Sequence, residues 1–218
     1  DIAVVGGAGF IGTNLVKKLI DLKHNVIVID NYVSGNKSNH IEGAYYFDSD
    51  CRKIENLLIE ENIDVVFHLG EYSKIVPSFE GIADIVETNM YSTSKVIEYC
   101  RKYKIKLIYA GSSTKYSEDG ANSSPYAFSK AKNTELIKNY GEWFGLKYSI
   151  CYFYNNYGPY QDSCNDGWET VISIFEKLKR KGLPLSIVSP GTQRRNYTHV
   201  EDTVEGLIAA WKREENDE

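Results

Sequence analysis

The first thirty residues constrain the fold of this 218-residue chain more than any other stretch. Residues 2–5 form an apolar run without polar alternation, as expected of a strand that is covered on both faces in a parallel sheet. Gly6, Gly7, Gly9 and Gly12 follow at once. The early glycines permit a tight turn and a close approach of backbone N–H groups to a pyrophosphate, and the last one lets a helix pack against the strand. The diphosphate would then lie at the N-terminus of that helix.

A helix and a second strand complete this unit. From residue 10 to residue 22, apolar side chains recur at helical spacing, with lysines on the opposite face. Residues 26–29 form a second buried strand, and Asp30 stands at its end. A carboxylate at this place accepts hydrogen bonds from the two hydroxyls of an adenosine ribose and repels a 2′-phosphate. The unit therefore predicts a dinucleotide site that favours NAD over NADP.

The composition is that of a globular protein with a full core. Hydrophobic residues make up 42% of the chain, no run is long enough to span a bilayer, and no charged-then-apolar leader precedes the first strand. We therefore expect a cytoplasmic protein. The net charge of −5 provides no general attraction to nucleic acid or to anionic membranes. Neither a metal site nor a disulfide framework is indicated by the spacing of Cys51, Cys100, Cys151, Cys164, His24, His40, His68 and His199.

The rest of the chain alternates strands and helices, as in a doubly wound parallel sheet of the Rossmann type. His68 lies within an apolar run, which favours a packed core histidine over a catalytic one. We expect residues 1–150 to form the NAD-binding domain and residues 151–218 a partial substrate lobe, interleaved with the last strands of the sheet. Further strands are predicted over residues 44–47, 64–69, 106–110 and 185–188, and further helices over residues 54–61, 85–102, 171–181 and 203–212.

Several strand ends carry candidate site residues. Asp50 follows the third strand and would accept from the adenine amino group if that strand lies beside the second one; it equally suits a helix N-cap. Gly70 lets a cofactor lie across the end of the fourth strand. The strand over residues 106–110 delivers Ser112 to the same edge of the sheet. Asn89 lies in a predicted helix, where an amide either hydrogen-bonds backbone at the cofactor site or is solvated.

Tyr126 and Lys130 form a second motif, which is a candidate for catalysis. Pro125 suits a helix start, and the two residues stand one turn apart, so that both side chains leave the same helix face. A free phenol, with a pKa near ~10, is a poor base at neutral pH, but positive charge from a lysine and an oxidised nicotinamide favours the phenolate. Tyr126 is therefore predicted to remove a proton from a substrate hydroxyl, and Lys130 to hold the nicotinamide ribose.

Together these motifs resemble a known family, the extended short-chain dehydrogenase/reductases, in the NAD-dependent epimerase/dehydratase group that acts on nucleotide sugars. The resemblance extends over the whole chain and implies NAD as cofactor, a nucleotide sugar as ligand and a homodimer built on helices around residues 90–100 and 131–140. The motifs that carry it, in the family's order, are residues 6–12, Asp30-Asn31, the Ser112 region, Tyr126-x-x-x-Lys130, residues 154–159 and residues 194–202.

The resemblance also implies roles for individual residues. Tyr126 is the acid/base and Ser112 hydrogen-bonds the reacting sugar oxygen, with Ser113 and Thr114 as fallback candidates. Asn155 and Arg195 match residues that contact the sugar nucleotide, the arginine through its diphosphate; a solvated basic pair with Arg194 is the alternative. The residues expected to contact NAD are Gly6, Gly9, Phe10, Ile11, Gly12, Asp30, Asn31, Asp50, Cys51, Leu69, Gly70, Asn89 and Lys130.

Three departures from the family's pattern bear on the reaction. The loop after Ser112 lacks the Asp and Glu of sugar 4,6-dehydratases, which argues against that dehydration. Glu71 stands where related epimerases often have a small residue, and the usual arginine before the Tyr-Phe-Asn region is absent, so that substrate identity stays open. The relatives also continue past residue 218 with more of the sugar-nucleotide lobe.

We therefore expect epimerisation of a nucleotide sugar at C4 through a transient 4-keto intermediate, with no net redox change. A reductase or decarboxylase of the same family is an alternative, distinguished by whether NADH is released. A catalytically weak NAD-binding regulatory subunit is a second alternative.

Overall fold

The computed structural model describes residues 1–116, 120–161 and 170–218, and Cys164 falls outside these ranges. Six parallel strands form the main sheet: β1 (Ile2–Val5), β2 (Val26–Asp30), β3 (Tyr45–Asp48), β4 (Val65–His68), β5 (Lys106–Ser112) and β6 (Tyr148–Phe153). Their spatial order is β3-β2-β1-β4-β5-β6, so the direction in which strands are added reverses between β1 and β4. This order is that of a doubly wound sheet and confirms the predicted fold class.

Helices cover both faces of this sheet. Their bounds are α1 (Phe10–Asp21), α2 (Ile54–Leu57), α3 (Ile82–Ile85), α4 (Ser92–Tyr103), α5 (Pro125–Phe144), α6 (Val171–Arg180) and α7 (Val200–Lys212), with a π-helical segment, Val86–Tyr91, between α3 and α4. Apolar residues of α1 and α7 share one core cluster, whereas those of α2, α4 and α5 share the other. The two clusters lie on opposite faces of the sheet, as the doubly wound architecture requires.

Strand β1 shows why its sequence is uniformly apolar. Ile2 and Val4 belong to the core with α1 and α7, whereas Ala3 and Val5 belong to the core with α4 and α5. All four are buried. Because successive side chains of a strand point to opposite faces, a central parallel strand needs apolar residues at every position.

Helix α5 begins with a strong local signal and carries two candidate site residues. The side chain of Ser124 accepts a hydrogen bond from the N–H of Ala127 at 3.1 Å, which caps the helix. Pro125 occupies the first helical position, where its missing N–H costs no hydrogen bond. The cap therefore fixes the start of α5, and Tyr126 lies in its first turn.

The strand predicted over residues 185–188 is wrong. The apolar residues Leu185, Ile187 and Val188 are exposed, and the described part of the chain provides no strand beside them. A strand needs a hydrogen-bonding neighbour, and the apolar pattern alone does not supply one. Instead, the short strands β7 (Asn156–Tyr157) and β8 (Thr198–His199) pair in parallel beyond the end of β6.

Other differences concern element bounds. The helix predicted over residues 54–61 is the single turn α2, preceded by the 3-10 turn Cys51–Lys53. The helix predicted over residues 85–102 starts earlier, at α3, and contains the π-helical segment. Helix α7 starts at Val200, three residues before its predicted start, because the side chain of His199 accepts from the N–H of Glu201.

The C-terminal residues return to the main sheet. Val204, Leu207 and Ile208 of α7 are buried in the same core as β1 and β4. Beyond α7, Asp217 forms one parallel bridge with Ser149 at the outer edge of β6. The division into residues 1–150 and 151–218 stays a prediction. Within the described ranges, every helix is too short or too polar to cross a lipid bilayer.

Candidate active site

A cleft opens along the carboxyl ends of the parallel strands, at the neighbouring pair β1 and β4. This is the place at which open α/β sheets bind ligands, because the loops leave the two neighbouring strands in opposite directions. Twelve of the thirteen residues expected to contact NAD line this cleft; they are Gly6, Gly9, Phe10, Ile11, Gly12, Asp30, Asn31, Asp50, Cys51, Leu69, Gly70 and Lys130.

The glycine-rich turn leaves no room for side chains. A Cβ on Gly12 would lie 2.1 Å from the carbonyl oxygen of Gly6, so only glycine lets α1 start this close to the turn. Gly6 has a φ of +81°, and a Cβ there would lie 2.6 Å from the Cα of Gly70. The turn between β1 and α1 is thus a backbone cradle at a helix N-terminus, which fits a dinucleotide pyrophosphate.

Asp30 is buried beside this cradle and is held by backbone donors. One carboxylate oxygen accepts from the N–H of Ala8 at 2.9 Å and the other from the N–H of Tyr32 at 2.8 Å. Burial raises the pKa of Asp30 above its usual range, and the two N–H donors partly offset that effect. A carboxylate oxygen accepts more than one hydrogen bond, so Asp30, which lines the cleft, suits further hydrogen bonds from ribose hydroxyls.

Asp50 caps a short turn, as one interpretation of its sequence position predicted, and its contact with the adenine amino group stays a prediction. Its side chain accepts from the N–H of Arg52 at 2.8 Å and so caps the short turn after β3. It also lines the cleft and pairs with the Arg52 guanidinium, with an Nε to Oδ1 distance of 2.9 Å. Burial acts to raise the pKa of Asp50, but Arg52 lowers it by more, so that the net shift is downward.

Asn89 is the predicted NAD contact that does not line the cleft. It is fully buried behind the lining. Its side-chain oxygen accepts from the N–H of Tyr72 at 2.7 Å, and its amide nitrogen donates to the carbonyl oxygen of Tyr72 at 3.0 Å and to Ser129 at 3.0 Å. Asn89 therefore holds the backbone that follows β4 against α5, and contact with the cofactor stays a prediction.

Tyr126 and Ser112 meet at the inner end of the cleft. Both are buried, and the hydroxyl of Tyr126 donates to the Oγ of Ser112 at 3.1 Å. Ser112 is the last residue of β5, and Tyr126 comes from the first turn of α5. A strand end and a helix start thus present two hydroxyl groups side by side, close enough to contact one substrate oxygen.

Lys130 lies one helical turn beyond Tyr126 and is also buried. Its Nζ donates to the carbonyl oxygen of Ala110 at 2.7 Å and lies 4.9 Å from the ring centroid of Tyr109. It forms an ion pair with Glu71, whose side chain is 1% exposed. The sequence singled out Glu71 only as a departure from a small residue, and its contact with Lys130 was not predicted.

The four residues expected to contact substrate lie in different environments. Asn155 lines the cleft and donates to the carbonyl oxygen of Asn196 at 2.9 Å. The Thr114 hydroxyl donates to the Oγ of Ser112 at 2.9 Å, and Ser113 is half-buried beside it; neither lines the cleft. Arg195 is exposed, and its Nη1 donates to the neighbouring backbone oxygen at 3.0 Å. The structure therefore brings Asn155 to the cleft and leaves Arg195 outside it.

Sequence reasoning also missed part of the lining. Tyr72, Ser73 and Lys74 follow Gly70 and line the cleft, as do Phe153 at the end of β6 and Thr170 before α6. The end of each sheet strand was the available signal for the first four of these residues. Thr170 carried no such signal, because α6 lies outside the sheet.

The cleft has a glycine cradle at one end, and at the other end two hydroxyl groups beside a lysine. This arrangement is typical of the NAD-binding short-chain dehydrogenases. The sequence profile of the NAD dependent epimerase/dehydratase family matches residues 2–218, and the chain belongs to this family. NAD is therefore its cofactor, and the glycine cradle, the α1 N-terminus and Asp30 fit it.

Individual relatives show which enzymes this chain is most usefully compared with. A Methanocaldococcus jannaschii protein, provisionally assigned as a UDP-glucose 4-epimerase, is 33% identical over 98% of this chain and 74% of its own. The UDP-N-acetyl-alpha-D-glucosaminuronate decarboxylase of Bacillus cytotoxicus is 31% identical over 99% of this chain and 72% of its own. The crystal structure of the Thermotoga maritima UDP-glucose 4-epimerase with UDP-glucose gives a TM-score of 0.92 at 28% identity, over 100% of this chain and 76% of that one.

Proposed function

We propose that the protein is an NAD-dependent enzyme that epimerises a UDP-linked sugar at C4. The observation that carries this proposal is the contact between the Tyr126 and Ser112 hydroxyls, 3.1 Å apart, beside Lys130 in a cleft that begins at the dinucleotide cradle. The 4-epimerase relatives and the neighbour crystallised with UDP-glucose support the reaction and the nucleotide.

Three side chains perform the proton chemistry. Tyr126 takes the proton from the sugar 4-hydroxyl and later returns it, while Ser112 hydrogen-bonds the same oxygen and holds it in place. Lys130 contacts the nicotinamide ribose and supplies positive charge beside the phenol. Bound NAD, which the glycine cradle, Asp30 and Lys130 would hold, would supply reversible hydride transfer at C4, so that the sugar passes through a 4-keto intermediate.

The two ends of the cofactor would rest on different parts of the cleft. Gly6, Gly9 and Gly12 cradle the pyrophosphate, and Asp30 accepts from the adenosine ribose hydroxyls, which disfavours NADP. Phe10, Ile11, Asn31, Asp50, Cys51, Leu69 and Gly70 complete the cofactor contacts as lining residues. On the substrate side, Asn155 contacts the sugar nucleotide, and Arg195 pairs with its diphosphate.

A panel of substrates tests the proposal directly. The purified protein with NAD is incubated with UDP-, GDP-, dTDP- and CDP-sugars, and the products are analysed by chromatography and proton NMR. We expect a C4 epimer from a UDP-sugar without net accumulation of NADH in solution. Binding of NAD with no epimer from any donor would refute the proposal and favour a regulatory NAD-binding subunit.

Decarboxylation is a second candidate, supported by the relative that decarboxylates a UDP-linked uronic acid. The same Tyr126 and Ser112 pair would serve it, because oxidation at C4 precedes loss of the carboxylate. UDP-glucuronic acid in the same panel separates the two activities, since a decarboxylase releases carbon dioxide and a shortened sugar.

We further propose that the protein is a cytoplasmic homodimer. Residues 90–100 and 131–140 would pair with their copies, and exposed aromatic residues at the ends of these helices support a contact surface: Tyr91, Tyr103, Trp143 and Phe144. Light scattering of the purified protein tests the dimer, with a monomer at all concentrations as the opposing result. Cell fractionation tests the location.

A further inference from the structure

Glu71 is a buried charge that the proton chemistry above does not use. It directly follows Gly70 at the end of β4 and belongs to the lining of the cleft. Its side chain is nevertheless 1% exposed, because the carboxylate points inward, beneath the candidate active site. Burial of a carboxylate destabilises the folded state unless the charge is paired and hydrogen-bonded. The groups that surround Glu71 therefore indicate its role.

Four side chains donate to this carboxylate. The Tyr109 hydroxyl donates to both oxygens at 3.0 Å, and the Asn133 amide donates to one of them at 2.8 Å. Thr93 donates a further hydrogen bond, and the Lys130 ammonium pairs with the other oxygen. These donors come from α4, β5 and α5, so three separate elements converge to hold an ionised carboxylate.

The proton positions follow from this arrangement. Thr93 has one hydroxyl proton and gives it to Glu71, so its oxygen must accept from the Nε2–H of His68, 2.8 Å away. Burial lowers the pKa of His68 to about 4, so the ring is neutral near pH 7 with its proton on Nε2. Burial acts to raise the pKa of Glu71, but Lys130 and the donated hydrogen bonds lower it by more, leaving a net downward shift.

Among the residues that the structure describes, the Glu71 carboxylate pairs with one cationic group, the Lys130 ammonium. Glu71 is negative and Lys130 is positive, while His68 and Tyr109 lie against the pair as neutral groups, because burial lowers the pKa of His68 and raises that of Tyr109. Lys130 is held by three contacts: the Ala110 carbonyl, the Tyr109 ring and the Glu71 carboxylate. A flexible lysine would otherwise sample many rotamers, so these contacts hold its ammonium at one place beside the cleft, of which Lys130 is a lining residue.

We propose that Glu71 is a positioning residue that fixes the Lys130 ammonium and whose negative charge favours the oxidised, cationic nicotinamide over the reduced, neutral one. This inference rests on the proposed function, because it takes Lys130 as the contact of the nicotinamide ribose. A negative charge in a buried site stabilises a nearby cation and leaves a neutral ring almost unaffected. Glu71 would therefore hold the resting enzyme in its NAD⁺ form, which is the form that starts an epimerase cycle.

Affinities for the two redox forms of the cofactor test the charge effect. Dissociation constants for NAD⁺ and NADH are measured by fluorescence titration on the full chain and on Glu71→Gln, which keeps the length of the side chain and removes its charge. We expect the ratio of the NAD⁺ constant to the NADH constant to rise roughly tenfold in Glu71→Gln. An equal change in both constants, or none, would overturn the proposal.

Glu135→Gln is the matched control. Glu135 lies on α5 like Lys130, but it is exposed and pairs with Lys132 on the surface. The same substitution there removes one charge without touching the cleft, so the ratio should stay at the wild-type value. A comparable shift in the control would mean that the ratio reports net charge, and the proposal would fail.

Glu71→Asp tests positioning and still applies if Glu71→Gln does not fold. Aspartate keeps the charge that compensates Lys130, but its shorter side chain no longer reaches the ammonium. We expect turnover of the UDP-sugar to fall roughly tenfold with KM and the cofactor ratio near wild type. Wild-type turnover in this variant would overturn the positioning role.

The proposal and the function on which it rests fail in different ways. A wild-type protein that binds NAD but epimerises no sugar refutes the proposed function, while the cofactor ratio still reports on Glu71. A wild-type protein that epimerises, with an unchanged ratio in Glu71→Gln, refutes only the role of Glu71.

Discussion

The inner end of the cleft and the outer segment, residues 181–197, which does not line the cleft, differ in how the fold supports them. At the inner end, Ser112, Tyr126 and Lys130 are buried on a strand end and a helix of the main sheet, and each has a hydrogen-bonding partner. In the second region, every residue from 181 to 197 is exposed, including Arg195. The residues expected to bind the cofactor and to transfer the proton thus lie on elements of the main sheet. Arg195, which is expected to bind the substrate diphosphate, lies on a segment that packs little against the rest of the protein.

The largest expected effect is at the inner end. Tyr126→Phe removes the hydroxyl that contacts Ser112 but keeps the buried ring, so we expect kcat to fall by about 10²–10⁴ with little change in thermal stability. Turnover is measured by coupled assay, and NADH absorbance during turnover should vanish while NAD stays bound. Tyr140→Phe on the same helix is the control and should leave kcat unchanged. A fully active Tyr126→Phe variant would show that the proton chemistry does not depend on this hydroxyl at the inner end of the cleft.

The buried histidine makes the inner end sensitive to acid. The pKa of His68 is about 4 in the folded protein against 6.5 when unfolded, so the unfolded chain binds the extra proton between these values. Stability should therefore fall by about 3 kcal/mol as the pH drops from 6.5 to 4. Urea unfolding across this range measures the slope, which should flatten in His68→Gln. An unchanged slope in that variant would show that other groups cause the loss.

The glycine cradle should tolerate no side chain. Gly12→Ala places a Cβ 2.1 Å from the Gly6 carbonyl oxygen, so the turn must shift. We expect a loss of about 1–3 kcal/mol in the free energy of unfolding and weaker NAD binding. Gly206 in α7 is the matched control, because no atom lies within 4 Å of an added Cβ. Gly206→Ala should stabilise the protein by about 1 kcal/mol, and destabilisation there would contradict the packing described.

The smallest expected effect on stability is in the outer segment. Arg195→Ala removes an exposed side chain, so we expect the free energy of unfolding to change by less than about 0.5 kcal/mol. If the guanidinium pairs with the diphosphate of the substrate, KM for the nucleotide sugar rises while kcat holds. Calorimetry and steady-state kinetics measure the two effects. A marked loss of stability would show that the side chain of Arg195 contributes to the folded state. It would contradict the difference in packing between the inner end of the cleft and residues 181–197.

The same contrast explains what sequence reasoning achieved. The glycine turn, Asp30, and the Tyr126 and Lys130 pair were predictable because each depends on neighbours within a few residues or one helical turn. The strand ends were predictable because an apolar run followed by Gly or Ser marks the carboxyl edge of a parallel sheet. Local pattern and global fold agree in this part of the chain.

Where sequence reasoning failed, the deciding contact was distant in the chain or did not form. The surroundings of Glu71 come from α4, β5 and α5, and Asn89 holds the backbone of Tyr72, so neither role has a local signature. The apolar pattern of residues 185–188 was read as a strand, but a strand exists only where a neighbour pairs with it.

One feature at the edge of the sheet bears on how the protein behaves in concentrated solution. The backbone oxygen of Asp217 accepts from the N–H of Ile150, so the outer strand β6 has part of its free edge already occupied. The side chains of Asp217 and Glu218 form ion pairs with Arg213 and Lys138 at the same place. Exposed strand edges recruit foreign strands and seed aggregates, and a charged, partly filled edge discourages that recruitment.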